Sequence, residues 1–306
     1  MNLATLSHLF VDEDAARKFI ETKRWPNGPV CPHCDCKEIY TLTGKPGSKS
    51  PVRPGVYKCK QCRKQFTVRI GTIYEESKIP LSKWLMAIHL MTSSKKGVSS
   101  RQIERELGIT MKSAWFLTHR IREAMRESPL AEKLQGTVEV DETYVGGKPR
   151  VRGESKRGRG TAKQPVMVLV ERDGNARCMP IPRVDSKTLK GEIAVHVEAD
   201  ALIVTDENPA YKGIDKTHGG HETTKHSARQ YSYTKDDGTV VHSNTAESFF
   251  ALLKRGHYGI FHQLSKKHLH RYCDEFAFRW NHRKVSDGAR MTAAMAGAGG
   301  RRLKYT

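Results

Sequence analysis

The stretch Thr137-Val-Glu-Val-Asp-Glu-Thr-Tyr-Val145 largely alternates apolar and polar residues and stops at a Gly-Gly pair. Side chains of a strand point to opposite faces in turn, so Glu139 and Asp141 share one face while Val138 and Val140 share the other. The pattern therefore predicts a strand that packs one face on a core and carries two carboxyl groups on the opposite face.

The chain that follows this strand continues the pattern of an α/β domain. Two β segments form a hairpin around Asp173-Gly174, and a helix is predicted near residues 188–197. The segment Ala201-Leu-Ile-Val-Thr-Asp206 is typical of a short buried strand that ends in a carboxylate. The order strand, hairpin, helix and strand predicts an α/β sheet whose first two acids, Asp141 and Asp206, lie at strand ends.

A helix is predicted from Asn244 to Gly256, with Ser243 or Asn244 as its cap and Gly256 as its end. Glu247 lies in its first turn, and Lys254 is stacked two turns later on the same side. Phosphoryl transfer uses two divalent cations, and Mg²⁺ prefers hard oxygen ligands from two or three carboxylates. Acids at strand ends are common in any α/β domain, so the spacing alone leaves a purely structural role open.

The N-terminal region contains two C-x2-C units, Cys31-Pro-His-Cys34 and Cys59-Lys-Gln-Cys62. Four thiolates in this spacing predict a zinc ribbon with one structural, four-coordinate Zn²⁺ and no open position for a substrate. A redox C-x-x-C pair is the rival interpretation, and Cys36 or His33 could replace one of the ligands.

A helical region follows, in which Leu107-Gly108-Ile109-Thr110 joins two short helices in the spacing of a helix-turn-helix. The second helix would present Lys112, His119 and Arg120 to DNA. A plain helical bundle explains the same periodicity, so both interpretations stay open.

The charge balance predicts a polyanionic partner. The 306 residues include 53 Lys+Arg against 33 Asp+Glu, a formal net charge of +20 at pH 7. Nucleic acid is the first expected partner and an anionic membrane surface the second. The sequence shows neither a signal peptide nor an apolar run long enough to span a membrane, which favours a cytoplasmic, nucleoid-associated protein.

Two further segments are rich in basic residues. Residues 148–163 are rich in Gly and Arg and lack periodicity, which predicts an arm that becomes ordered on DNA phosphates; a solubilising insertion is the alternative. Its candidate DNA-binding residues are Arg150, Arg152, Arg157 and Arg159, and Arg255 is a further candidate on the predicted helix. Residues 289–306 are expected to form a flexible basic tail.

Three blocks of the sequence together resemble bacterial insertion-sequence DDE transposases related to Merlin elements. The blocks are Val140-Asp-Glu-Thr-Tyr-Val-Gly-Gly147, Val204-Thr-Asp-Glu-Asn208 and His242-Ser-Asn-Thr-Ala-Glu-Ser-Phe-Phe-Ala-Leu-Leu-Lys-Arg-Gly256. The tail from Ser265 to Arg283 is also similar to this family. The resemblance covers nearly the whole chain, from the zinc ribbon to about Arg283.

The resemblance implies a ribonuclease-H-like catalytic core at 134–288, preceded by a zinc ribbon with an N-terminal helix at 1–72 and a helix-turn-helix region at 78–128. It implies metal-dependent cleavage at the ends of an element and strand transfer into target DNA, with Mg²⁺ or Mn²⁺ as cofactor. Asp141 and Asp206 are then the first two metal ligands, and the third is Glu247 or Asn244, with Glu247 favoured by its helix position and by Lys254. Double-stranded DNA is the implied partner, bound by a homodimer or a larger assembly. A DNA-binding regulator and a nuclease without strand transfer remain alternatives.

Overall fold

The computed structural model describes residues 3–44, 52–128, 131–146, 163–224, 232–236 and 238–304. The chain divides into two compact units. One unit combines residues up to 125 with residues 285–306, and the other spans 126–284. Among the described residues, no helix is both long and apolar enough to cross a membrane.

The first unit is a helical body with a small ribbon sheet. Helices α1 (Leu3–Val11) and α2 (Glu13–Arg24) precede three short antiparallel strands, β1 (Ile39–Thr41), β2 (Tyr57–Cys59) and β3 (Gln65–Phe66). The rings of Trp25, Tyr57 and Phe66 contact one another on this ribbon, with centroids 5.6–5.8 Å apart. These three rings supply the small apolar core on which the ribbon packs.

Three helices follow the ribbon, α3 (Leu81–Ser93), α4 (Ser100–Leu107) and α5 (Met111–Met125). The Ser99 hydroxyl accepts a hydrogen bond from the Gln102 amide at the start of α4, and Gly108 adopts the left-handed conformation (φ 59°) that ends it. The Thr110 hydroxyl accepts from the Ser113 amide at the start of α5. The two short helices predicted on either side of Leu107–Thr110 are therefore confirmed, whereas a helix-turn-helix that reads DNA remains a prediction.

The structure of the C-terminal segment contradicts one prediction. Residues 289–306 were expected to be a flexible tail, but helix α9 (Asp287–Ala296) packs in the first unit and buries Met291 and Met295. Beyond this helix, the Gly300 amide donates to the Gly71 carbonyl, and the Arg302 guanidinium lies 2.6 Å from the Glu76 carboxylate. A Gly-rich composition suggested fraying, but these long-range contacts hold the segment in place.

The second unit contains a five-stranded sheet in the order β6-β5-β4-β7-β8. Its strands are β4 (Thr137–Val145), β5 (Gln164–Glu171), β6 (Ala176–Pro180), β7 (Leu202–Thr205) and β8 (Gly220–Thr223). The first three strands pair antiparallel, whereas β7 and β8 run parallel to β4. This order and these directions are those of a ribonuclease-H-like sheet, so the predicted α/β core is confirmed.

Helices cover both faces of this sheet. On one face, α7 (Asn244–Gly256) and α8 (Leu269–Asn281) pack on alternate side chains of β5 such as Val166 and Val168. On the other face, α6 (Ser186–His196) packs against Val138, Val140 and the remaining side chains of β5. The predicted alternation along β4 is confirmed, since Val138 and Val140 belong to one core while Glu139 and Asp141 face the side of α7. A two-stranded ribbon of β9 (Ser232–Thr234) and β10 (Val240–His242) precedes α7.

Candidate active site

The register of the parallel strands brings Asp141 and Asp206 to the same level of the sheet. Glu139 on β4 pairs with Val204 on β7, so two residues further along each strand Asp141 is level with Asp206. Strand β7 ends at Thr205, and Asp206 is therefore the first residue beyond its carboxyl end. Asp141 is the middle residue of β4, so the prediction that it lies at a strand end is wrong, whereas that for Asp206 is confirmed. The two residues, 65 positions apart in the sequence, nevertheless lie at the same level of neighbouring strands.

Helix α7 contributes the third carboxylate and a lysine. Its apolar stripe, which includes Phe249 and Leu253, is buried on the sheet, and this turns the neighbouring stripe toward the strand ends. Glu247 and Lys254 lie on that stripe and, together with Asp141 and Asp206, line one cleft of about 400 Å³. Three carboxylates from three separate elements therefore line the same solvent-accessible cleft as the amino group of Lys254.

The electrostatics of Asp141 reflect this crowding. Burial raises the pKa of its carboxyl to about 6, and the negative charges of Asp206 and Glu247 act in the same direction. A hydrogen bond of 2.7 Å from the Glu142 amide and the positive charge of Lys254 oppose the rise. A set of close, partly desolvated carboxylates is unfavourable without a counterion, and it is the donor set that hard divalent cations prefer.

Glu139, two residues before Asp141 on the same face of β4, ties this strand to the start of α7. Its carboxylate is fully buried and accepts hydrogen bonds from the backbone amides of Thr245 (2.7 Å) and Ala246 (3.0 Å). The Thr245 hydroxyl donates to the other carboxylate oxygen at 2.9 Å. Ser243 or Asn244 was predicted to cap this helix, but the Ser243 side chain makes no capping hydrogen bond. Glu139, which is more than 100 residues away in the sequence, accepts from the free amides at the start of the helix instead.

Arg172 links Glu139 to the segment that precedes α7. Its Nε donates to Glu139 at 3.2 Å, and its two terminal nitrogens donate to the carbonyls of Val240 (2.6 Å) and His242 (3.2 Å). The His242 Nδ1 lies 3.1 Å from the Glu139 carboxylate, although its orientation does not make a hydrogen bond. The strand that carries the first acid and the helix that carries the third are thus joined by one buried ion-pair network.

A fourth carboxylate reaches the cleft from the other face of β4. Glu142 lines the cleft and accepts a hydrogen bond from the hydroxyl of Tyr211, which follows β7. Burial raises the pKa of Tyr211 well above its ordinary value, and the neighbouring charge of Glu142 adds to this effect. The tyrosine therefore stays protonated and keeps donating to Glu142.

Asn244, the alternative third ligand, is placed differently from Glu247. It is the first residue of α7, it is exposed, and it is absent from the lining of the cleft. The α-helix ends at Gly256 as predicted, and a single π-helical turn (His257–Phe261) follows it directly.

The predicted zinc ligands form one cluster. The sulfur atoms of Cys31, Cys34, Cys59 and Cys62 all lie within 4.8 Å of one another, with Sγ–Sγ distances of 3.6 Å for the pairs 31–62 and 34–59. Four sulfurs about 2.3 Å from one ion would have this spacing in a tetrahedron. The arrangement supports a structural Zn²⁺ and leaves Cys36 and His33 outside the cluster.

The predicted DNA contacts fall into three groups. Lys112 at the start of α5 and Arg255 in the last turn of α7 are exposed. Arg120 is only 4% exposed, donates to the Glu75 carbonyl and packs against the rings of Trp84 and Phe116. The prediction for Arg120 is therefore wrong, as is that for the buried His119, because both side chains support the helical core. The predictions for Arg150, Arg152, Arg157 and Arg159 lie outside the described residues.

Sequence reasoning missed the residues that position the site. Glu139 was recognised as a neighbour of Asp141 on one face, and a second acid two residues away on the strand was the available signal. Nothing in the sequence pairs Glu139 with Thr245, or Tyr211 with Glu142, since these contacts depend on the tertiary fold.

Comparison with known families identifies the class of this protein. Residues 133–281 match the ISXO2-like transposase domain, and residues 11–65 match the transposase zinc-ribbon domain. A protein of the transposable element ISH50 from Halobacterium salinarum, itself uncharacterised, is 30% identical over 289 residues, which cover 88% of this chain and 91% of the relative. The chain therefore belongs to the family of insertion-sequence transposases with an ISXO2-like transposase domain and an N-terminal zinc ribbon.

Solved structures with a similar chain include one of a transpososome. A chain from the crystal structure of a pre-cleavage Mos1 transpososome shares 14% sequence identity, with a TM-score of 0.26 and coverage of 68% of this chain and 75% of that chain. A similarity at this level supports no conclusion about the site or its chemistry.

Proposed function

We propose that the protein is a DNA transposase that cleaves DNA at the ends of its element and joins those ends to target DNA by metal-dependent phosphoryl transfer. One observation carries the proposal: Asp141, Asp206 and Glu247 come from three separate elements and line the same cleft as Lys254. Membership of a transposase family supplies the substrate class that fits this chemistry.

The three carboxylates would hold Mg²⁺ or Mn²⁺, in agreement with the oxygen donors they offer. Divalent cations bound there would activate the attacking oxygen and stabilise the leaving oxygen of a phosphodiester. Glu247 is proposed as the third ligand in preference to Asn244, because only Glu247 lines the cleft. Lys254 would bind a phosphate oxygen of the strand that occupies the cleft and so orient it toward the acids.

Binding of double-stranded DNA is proposed to use the positive charge of the chain. The exposed Lys112 and Arg255 are proposed contacts, as are the four arginines between 150 and 159. The zinc ribbon and the helices α4 and α5 would recognise the element ends as a DNA-binding region. Because the reaction joins two ends to one target, we propose a homodimer or larger assembly on DNA, located in the bacterial nucleoid.

The test compares wild-type protein with Asp141→Asn and Asp206→Asn on duplexes that contain the DNA flanking this reading frame. We expect Mg²⁺-dependent nicking and joined products for the wild type, loss of both for the two variants, and DNA affinity that is unchanged or higher. Asp215→Asn is the matched control, because Asp215 lines a neighbouring pocket and not the acidic cleft. Its activity should equal that of the wild type.

The alternatives give different outcomes in the same assay. Nicking without joined products would favour a nuclease on the same core. Tight DNA binding without nicking by the wild type would favour a DNA-binding regulator. Nicking at the wild-type rate by both Asp→Asn variants would refute the assignment of the site.

A further inference from the structure

Tyr258 is an exposed aromatic residue that the core of the second unit does not use. Its side chain is 61% exposed, whereas the rings on either side of it in the sequence are at least partly buried. It lies in the π-helical turn that follows α7, in which the His262 amide donates to the His257 carbonyl at 2.7 Å. Single π-helical turns occur frequently at functional sites, so the residue that this turn presents is a candidate for a function.

The ring of His257 supports one face of the Tyr258 ring. The two rings stack with centroids 4.8 Å apart and an interplanar angle of 28°, and His257 is 2% exposed. Phe261 anchors the same turn to α8, because its ring contacts those of Tyr272 and Phe276. One face of the Tyr258 ring is therefore supported by a buried ring, which lowers the entropic cost of stacking a ligand on the other face.

The position of Tyr258 relates it to the acidic cleft. Glu247, Ala251 and Lys254 line the cleft and follow one another on one stripe of α7, and Tyr258 continues this stripe one turn further. At about 1.5 Å per residue, Tyr258 lies roughly 6 Å along the helix from Lys254. This distance equals roughly two nucleotides of a DNA strand at about 3.4 Å per nucleotide.

The charge around Tyr258 fits a nucleic-acid strand. Lys254 and Arg255 precede it on the helix, and both are exposed. Lys163 lies close enough to His257 to act on it electrostatically. An exposed, supported aromatic ring among cations is the usual arrangement that binds unpaired bases, since rings stack on bases and cations contact the phosphates.

We propose that Tyr258, supported by His257, is a stacking platform for an unpaired base of the DNA strand whose phosphodiester lies in the acidic cleft. The proposal rests on the proposed function and names an additional feature of its substrate, which is strand separation within a few nucleotides of the reacting phosphate.

The test measures the affinity of full-length protein for two fluorescent DNAs with the same duplex sequence, one blunt and one with a short single-stranded extension. We expect Tyr258→Ala to weaken binding of the extended DNA by roughly 5- to 100-fold and to leave the blunt duplex unchanged. Tyr258→Phe keeps the ring and should retain wild-type affinity for both DNAs. Val195→Ala is the matched control, because Val195 is 63% exposed on α6, on the opposite face of the sheet.

Three results would overturn the platform: equal affinity of Tyr258→Ala and wild type for the extended DNA, equal losses for both DNAs, or a loss in Tyr258→Phe as large as in Tyr258→Ala. A second readout places a photoreactive iodouracil at successive positions of the extension, where a stacked base should cross-link to the peptide that contains Tyr258. The binding measurements do not depend on catalysis. Failure of the proposed function would therefore be recognised separately, by the absence of nicking.

Discussion

Replacement of Glu139 by Gln tests whether the network between β4 and α7 positions the site. The Gln side chain has nearly the same shape, but it presents an NH₂ group in place of one of the two carboxylate oxygens. One oxygen accepts from the amides of Thr245 and Ala246, and the other accepts from the Thr245 hydroxyl and Arg172. Either orientation of the amide therefore leaves two donors without an acceptor, in a site where Glu139 is fully buried.

The magnitude follows from the number of lost partners. Each buried donor that loses its acceptor costs about 1–3 kcal/mol. Removal of the charge opposite Arg172 also breaks a buried ion pair, for which the cost is about 3–5 kcal/mol. We expect a total of about 3–5 kcal/mol, since these contributions overlap. A domain with a typical stability of about 5–15 kcal/mol would remain folded and lose the anchor of α7 first.

Hydrogen exchange followed by mass spectrometry measures this local loss. Amides of α7 should exchange roughly 100- to 4000-fold faster in Glu139→Gln, because every 1.4 kcal/mol corresponds to about tenfold in an equilibrium constant. Peptides from α6 should change little. The matched control is Glu192→Gln, which removes a partly exposed carboxylate 3.6 Å from His196 on α6 and should cost under about 1 kcal/mol. Unchanged exchange in α7, or equal acceleration in α6, would refute the role given to Glu139.

Two further predictions concern the cation sites. A carboxyl whose pKa rises on folding destabilises the folded protein once it ionises, and for Asp141 the difference between about 6 and the ordinary 3.8 corresponds to roughly 3 kcal/mol. In buffer free of Mg²⁺ and Mn²⁺, Asp141→Asn should therefore be more stable to urea than wild type by about this amount near pH 8 and by about half of it near pH 5; a gain that does not depend on pH would contradict the cause given for the pKa. The purified protein should contain about one zinc per chain, and Cys59→Ser should lower this content and loosen the first unit, as measured by metal analysis and by proteolysis. A native preparation without zinc would contradict the four-cysteine site.

The sequence predicted the strand and the helix that carry the site residues better than it predicted how these elements contact one another. Alternation along β4 assigned Glu139 and Asp141 to one face, and helical periodicity placed Glu247 and Lys254 on one side of α7. Both patterns depend on residues close in sequence, where the period of the backbone decides the direction of each side chain. The parallel pairing of β4 with β7 brings Asp141 level with Asp206, and this register depends on contacts that no local pattern contains.

Arg120 shows why local patterns overestimate exposure. A basic residue on a helix in a strongly basic chain was expected to face DNA, but Arg120 fills a space between Trp84 and Phe116. Its burial lowers the pKa of the guanidinium to about 10, and its hydrogen bond to Glu75 partly compensates for the lost hydration. Arginine can be buried in this way because its planar head stacks on aromatic rings, a property that charge patterning does not include.

Helices α3 and α7 share a form of capping that has consequences for the site. Neither helix has a local side chain that bonds its first amides; Glu13 accepts from the amides of Leu81 and Ser82 in α3, and Glu139 accepts from those at the start of α7. A local cap stabilises a helix without fixing its position, whereas a cap from another element also fixes where the helix begins. In α7 the last bonded amide belongs to Ala246, directly before Glu247, so a displacement of the third acid would stretch hydrogen bonds to the strand that holds the first. The Glu139 carboxylate on β4 and the apolar packing of α7 therefore act together to fix the separation between Asp141 and Glu247, whose negative charges raise the pKa of Asp141 when no cation is bound.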